Sequence, residues 1–404
     1  MIYFKKRIPI GALIIFSIFA PLFAFSFLDL TLLNRKSYIG IARERAREVN
    51  IDLPAKIDLL YKGFSPIFSP AELRNYFIGT KFYPIGTLPK TDTYFCNEGY
   101  GLISYKTDRF GLRNNDSKWD SIAEEAITFF VGDGFVLGAC VDSQSTLSEL
   151  FSASTNKNVI NLGTTGNDPY SYIAVLKSIV RPITNNFKTK SKNVVLFFYE
   201  DDNVPTNQRI ESHLDSIYPI LEFKIDKSVT PLSEYLDVMS QVIKSNFPTT
   251  KEKIRETLRE KRDHLRLPFG IIKGNFAYRL LSLYPIRYRL TKIFNALPNQ
   301  KKEQTFTQLE DKNLPSIKAA QVLHETCSKE LECSPYIAYI PHSNYWRPNA
   351  LSNNYKSQLR EIADSLSIRF IDGSIVINQN DYRDYSPLGA HLSKEGYRKF
   401  AMLL

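Results

Sequence analysis

Apolar runs broken by short polar turns recur along most of the chain. Ile127-Thr128-Phe129-Phe130-Val131 is almost wholly apolar and stops at Gly132-Asp133-Gly134; a second apolar run compatible with a helix then extends from Phe135 to Val141. That is the form of a buried strand turning sharply into a helix at the carboxyl edge of a parallel sheet, where open α/β sheets bind their ligands. The pattern repeats. Residues 145–154 read as a helix, 158–163 as a second strand leading into Thr164-Thr165-Gly166-Asn167-Asp168, and 170–180 as a helix. Residues 193–199 read as a third strand, nearly all apolar as a strand covered on both faces should be, and end in Glu200-Asp201-Asp202-Asn203. After an interruption come a helix over 316–327, a strand over 335–341, a helix over 354–366 and a short strand over 368–372. Ser393 reads as the N-cap of a closing helix, with Glu395 in its first turn. This order predicts an α/β domain with a parallel sheet of about five strands and right-handed crossovers.

Outside that rhythm, Lys5-Lys6-Arg7 precedes an uncharged apolar run over 8–28, about the length that crosses a bilayer as a helix. Basic residues on its N-terminal side predict a cytoplasmic N-terminus, which places everything after it outside the inner membrane, in the periplasm of a two-membrane cell. A cleaved signal peptide is the alternative. Because Ala24-Phe25-Ser26 makes a poor cleavage site and the run is long for a signal, an uncleaved anchor is the expectation. Residues 34–60 read as an amphipathic stalk, and 61–125 as an irregular, β-containing lead-in. Residues 251–265 and 276–297 are charged helical segments, the second basic and amphipathic. Such a helix lies on a membrane surface, packs on its own domain with a solvated face, or forms a lid. The expected divisions are 1–33 (cytoplasmic tip and anchor), 34–125 (stalk and lead-in) and 126–404 (main domain), with a helical insertion over about 205–312.

Composition narrows the function classes. The 404 residues are 43% hydrophobic, enough for a sizeable core, and the formal net charge of +10 favours anionic surfaces such as headgroups or acidic glycans. Nucleic acid is not an expected partner, since no zinc, RRM-like or helix-turn-helix pattern accompanies the charge. Of the four cysteines, Cys96, Cys140, Cys327 and Cys333, none has metal-ligand spacing with a histidine pair, so no metal or other cofactor is expected. Cys327 and Cys333 either close a small loop in an oxidising compartment or remain free thiols. His213, His264, His324 and His342 form no close-spaced set and read as structural or surface residues.

Four blocks, each after the predicted element it needs, resemble in order those of the SGNH (GDSL-type) hydrolases. They are Gly132-Asp133-Gly134 with Gly138-Ala139-Cys140-Val141; Asn161-Leu162-Gly163-Thr164-Thr165-Gly166-Asn167; Phe198-Tyr199-Glu200-Asp201-Asp202-Asn203; and Gly389-Ala390-His391-Leu392-Ser393-Lys394-Glu395-Gly396-Tyr397. The segment from Tyr105 to Asn114 is similar to one that precedes the first core strand in membrane-anchored bacterial relatives; from its residues alone it reads as a strand and turn bracing the domain. The resemblance implies a three-layer, flavodoxin-like fold and a site for acyl transfer. In that family a serine attacks the acyl carbon, a histidine takes its proton, and backbone and amide N–H groups hold the oxyanion. Gly134 stands where the serine is expected. Gly166 matches the oxyanion glycine, Asp202 occupies the place of the amide-bearing asparagine with Asn203 one step later, and His391 matches the histidine. Asp133 is a turn residue. A carboxylate at 202 would repel an oxyanion unless protonated. Leu388 occupies the place of the aspartate that orients the histidine, leaving Asp384 and Asp372 as acids of the same region. Ser143, Ser145, Thr164 and Thr165 are the other nearby hydroxyls.

The expectation that follows is a membrane-anchored, extracytoplasmic SGNH-like protein, catalytically impaired or inactive, that binds an acylated glycan or acyl ester in envelope polysaccharide or acyl-group metabolism. The alternative is an active carbohydrate esterase or O-acyltransferase using His391 with water or an unconventional nucleophile.

Overall fold

The computed structural model describes residues 53–123, 126–187, 191–203, 221–246, 315–328, 333–344 and 354–404, with three further positions at 20, 21 and 24. Most of the apolar run 8–28, most of the stalk and the charged segments 251–265 and 276–297 lie outside them. Among the described residues no helix is long and apolar enough to cross a membrane.

The lead-in carries α1 (Leu53–Tyr61), β1 (Ser65–Pro66), α2 (Pro70–Arg74), β2 (Asp92–Tyr94) and β3 (Ser104–Lys106). Its strands form a small sheet in which β2 pairs parallel with β1 and antiparallel with β3. The turn after β3 is built on Asp108, fully buried, whose carboxylate accepts from Phe110 N, Leu112 N, Asn114 Nδ2 and Trp119 Nε1. Burial pushes this carboxyl up to about 6.

The main domain runs β4 (Ile127–Val131), α3 (Gly134–Leu137), α4 (Leu147–Thr155), β5 (Asn158–Asn161), α5 (Pro169–Val175, continuing through a π turn into a helix at Arg181–Asn186) and β6 (Lys192–Tyr199). The described part of the insertion is not helical throughout. An antiparallel hairpin, β7 (Leu221–Phe223) and β8 (Val229–Pro231), precedes α6 (Ser233–Asn246). Tyr235, Met239 and Val242 of α6 pack against Leu73, Phe77, Phe82 and Leu88 of the lead-in, so this segment has its own apolar support. Then follow α7 (Pro315–Ser328), β9 (Ser334–Ile340), α8 (Asn354–Ser365), β10 (Arg369–Asp372) and α9 (Lys394–Leu403), capped by Ser393, whose Oγ accepts from Gly396 N.

The five core strands pair in parallel throughout, in the order β10-β9-β6-β4-β5. Alternation along each strand sends side chains to two separate cores. Phe129, Val131, Val194, Leu196, Phe198 and Ile337 meet α5, α7 and α8 on one face. Phe130, Val195, Phe197, Tyr199 and Ala338 meet α3, α4 and α9 on the other. Helices on both faces explain why β4 is buried at every position. Truncating one of its phenylalanines would cost about 3–5 kcal/mol. The chain first moves outward from β4 to β5 and then crosses back to β6, so strand order reverses between β4 and β6. Crevices of open α/β sheets form at such a reversal.

Candidate active site

The turn after β4 is the sharp one that the sequence pattern predicts, and glycine is required in it. A Cβ on Gly132 would lie 2.4 Å from Val136 Cγ2. Asp133 caps α3, its Oδ1 accepting from Phe135 N at 2.9 Å, and Gly138 ends the helix in the left-handed conformation at φ 77°. The Tyr105–Asn114 segment braces this turn. Arg113 donates to Gly138 O at 2.7 Å and Val141 O at 2.8 Å, while Asn114 bonds both the N–H and the C=O of Asn161.

His391 lies against this turn, its ring 4.9 Å from that of Phe135, which in turn stacks on Tyr199 at 4.3 Å. The closing helix fixes the approach from below, Tyr397 Oη donating to Phe135 O at 2.9 Å. A Cβ built on Gly134 would stand 3.1 Å from His391 Nε2, with Ala139 Cβ next nearest at 3.9 Å. The imidazole therefore faces the place where a side chain at 134 would begin. Neither Asp384 nor Asp372 orients it. Asp384 is held by Lys399 Nζ and Asn378 N, and Asp372 by Lys356, Arg360 and Ser374. The orienting acid is Glu98, from the lead-in. Its Oε1 is 2.9 Å from His391 Nδ1, its Oε2 accepts from His391 N at 3.3 Å, and its side chain is 0% exposed. A carboxylate on Nδ1 fixes the proton there and leaves the Nε2 lone pair toward residue 134, the tautomer a general base needs.

Two constraints hold Glu98 in place. Gly389 makes room for it, since a Cβ there would fall 1.8 Å from Glu98 Cδ, and Leu388 N donates to Glu98 O at 2.9 Å. A disulfide joins Cys96, two residues before Glu98, to Cys140 just beyond α3. Sequence spacing singled out Cys327 and Cys333, which are also bonded to each other, and missed this second pair. Cys140 Sγ lies within 4.8 Å of the Glu98 and His391 ligand atoms, but as a disulfide sulfur it offers no thiolate to a metal.

The other candidates are distributed around the reversal point. Asp202, in the 3-10 turn Glu200–Asn203 after β6, accepts on Oδ2 from Tyr199 N at 3.0 Å and Tyr172 Oη at 3.1 Å. Burial and the nearby Asp133 carboxyl hold its own carboxyl well above the usual range. The side chain of Asn203 lies outside the described residues. Gly166 is exposed and left-handed at φ 75°, and its missing Cβ points toward Ser69 of the lead-in at 3.7 Å. The loop carrying it is tied to the Gly132 turn by Thr164 N donating to Gly132 O at 3.3 Å. Among the hydroxyls considered as substitutes, Ser145 bonds Asp142 and Ser143 receives Arg113. Thr164 Oγ1 is buried without a hydrogen-bond partner among the described residues.

His342 is buried and pairs through Nδ1 with Glu200 at the ends of β9 and β6, Nε2 lying 2.8 Å from Asn344 Oδ1. Burial tends to raise Glu200, but its bonds from His342 prevail and hold its carboxyl low. A cavity of about 200 Å³ lined by Leu236, Met239 and Ile243 shares no residue with this site.

No protein-family model matches the chain, and no curated protein matches it. Among solved structures it is similar to a protein described as a lipolytic protein of the G-D-S-L family from Desulfitobacterium hafniense DCB-2. That likeness has a TM-score of 0.31 and 10% identity, over 69% of this chain and 97% of the other. A likeness of that degree says nothing of chemistry, which rests on the residues just described.

Proposed function

We propose that this chain is an SGNH-like acyl-ester site whose own nucleophile has been removed. It is anchored through residues 8–28 in the inner membrane with the main domain outside, and it holds an acylated glycan or acyl ester in envelope polysaccharide metabolism. One observation carries the reading: His391, oriented by a buried Glu98, presents Nε2 3.1 Å from where a Cβ at residue 134 would lie, and residue 134 is glycine. The base and its orienting acid are present, and the attacking hydroxyl is not. Nucleophilic catalysis by serine is closed to such a site, whereas binding is not.

The same dyad favours a second reading, in which water or an acceptor hydroxyl of the substrate takes the serine's place and His391 removes its proton. Loss of the covalent step makes that route slow. Hydrolysis of a short-chain acyl ester by the full chain in detergent, beside His391→Ala, separates the two. Saturable ester binding with hydrolysis equal in both proteins supports the first reading. Turnover above the His391→Ala level supports the second. Absence of any ester binding overturns both.

A further inference from the structure

Glu98 and His391 share their place in the fold with a disulfide. Cys140 Sγ, a carboxylate oxygen of Glu98 and a ring nitrogen of His391 all lie within 4.8 Å of one another. The three donors come from distant stretches of chain: Glu98 from the lead-in, Cys140 from just beyond α3, and His391 from the loop before α9. Cys96, bonded to Cys140, brings a second sulfur to the same spot. Cys140 and the Glu98 side chain are fully buried, whereas Cys96 and His391 are partly exposed and leave the cluster an approach from solvent. Cys140 also holds a left-handed backbone, φ 63°, which residues with a side chain adopt mainly where function or tight packing demands it. While bonded to each other, the two sulfurs offer a metal no thiolate. The chain is nevertheless made as a dithiol, and a dithiol reductant returns it to that state by exchange. Two electrons pass into the Cys96–Cys140 bond, both sulfurs take up protons, and the reductant leaves as its own disulfide.

We propose that the reduced chain binds one zinc ion through Cys96, Glu98, Cys140 and His391, and that oxidation of the two cysteines expels it. This holds whether or not the site takes an ester. Two thiolates, an imidazole and a carboxylate are a donor set that zinc accepts as a closed tetrahedron. Three atoms no more than 4.8 Å apart share a point at most 4.8 Å/√3, about 2.8 Å, from each, so less than about 1 Å of movement brings them to zinc bonds of roughly 2.0–2.3 Å. Binding forms two Zn–S bonds, one Zn–N bond and one Zn–O bond, and releases the two thiol protons. The ion also silences the base. A neutral imidazole has a single ring lone pair: if Nε2 binds zinc that pair is taken, and if Nδ1 binds it the ring proton moves to Nε2. In both cases the nitrogen facing residue 134 can no longer accept a proton. Oxidation reverses this: two electrons pass from the sulfurs to an acceptor disulfide, which takes up two protons, and the zinc leaves.

The test uses the full chain in detergent under argon, with Cys327→Ser and Cys333→Ser so that only the Cys96–Cys140 pair remains. If that variant does not fold, the four-cysteine chain read against its Cys96→Ser/Cys140→Ser variant gives the same comparison. After reduction by a phosphine and its removal, cobalt(II) should produce the visible bands of a tetrahedral ion and a near-ultraviolet thiolate charge-transfer band, saturating at one cobalt per chain and erased by zinc. The oxidised chain should produce neither. Zinc affinity, read by competition with a chromophoric chelator, should fall at least about 10-fold in Glu98→Gln and in His391→Ala and stay unchanged in His324→Ala. Diethyl pyrocarbonate, which acylates a free imidazole lone pair, should modify His391 in the oxidised chain and the reduced metal-free chain but not in the reduced zinc-bound chain. Absence of the charge-transfer band, equal zinc affinity with and without His391→Ala, or modification of His391 at saturating zinc each overturns the proposal. So does a reduced chain that loses its near-ultraviolet circular dichroism and does not regain it with zinc.

Discussion

Gly134→Ser should restore serine-dependent ester hydrolysis, and the structure gives the reason. The Cβ of the new serine would lie 3.1 Å from His391 Nε2, with its next neighbour at 3.9 Å and ordinary backbone geometry at 134. The hydroxyl extends beyond Cβ and comes within hydrogen-bond reach of Nε2 after the imidazole yields by a few tenths of an ångström. An adjustment of that kind costs about 0.5–1.5 kcal/mol at most. Against it stands a gain from general-base activation of about 10²–10⁴-fold, or roughly 3–5 kcal/mol of barrier. The expected outcome is a p-nitrophenyl acetate hydrolysis rate at least about 100-fold above that of the unaltered chain, abolished when His391→Ala is added. The assay uses the full chain in detergent, with thermal melts confirming that each variant is folded. A folded Gly134→Ser protein that hydrolyses no faster than Gly134→Ser/His391→Ala would refute the reasoning.

Further outcomes follow from the same geometry. Glu98→Gln in the Gly134→Ser background should lower kcat by about 10²–10⁴-fold with little change in KM, because the amide no longer fixes the His391 tautomer; steady-state kinetics decide it. Gly389→Ala should destabilise the chain by about 1–3 kcal/mol or more in denaturant melts, since its Cβ collides with the Glu98 carboxyl. Replacing Cys96 and Cys140 together by serine should cost about 4 kcal/mol from a bridge of sequence separation 44, against about 2 kcal/mol for Cys327 and Cys333 with separation 6. In the Gly134→Ser background only the first replacement should also lower activity, because it frees the segment that carries Glu98.

The sheet was legible because its signals are local. Ile127–Val131 and Asn193–Tyr199 are apolar runs with turn residues at their ends, and the strands lie where those runs predict. The pairing of residue 134 with His391 was legible for a related reason: both lie in short blocks next to predicted element boundaries. Glu98 was not. It is separated from His391 by 293 residues, in a lead-in without periodicity, and it serves an imidazole whose expected partner position holds Leu388. What places it there is long-range: a disulfide, a glycine without a Cβ and the burial of one carboxylate. The only local hint was the run Cys96-Asn97-Glu98-Gly99, in which Gly99 is left-handed at φ 107° against Pro387. The insertion illustrates the opposite failure. Its charged periodicity suggested helices alone, whereas the short β7–β8 hairpin turns on Asp226 and Lys227, too few residues to stand out.

The most direct test of the missing hydroxyl is covalent. A fluorophosphonate probe is incubated with the full chain and with Gly134→Ser, and the intact masses and modified peptides are read. The account predicts one adduct on the serine variant, at residue 134 and dependent on His391, and none at this site on the unaltered chain. Labelling of the unaltered chain within the site, or no labelling of a folded Gly134→Ser protein, would contradict it.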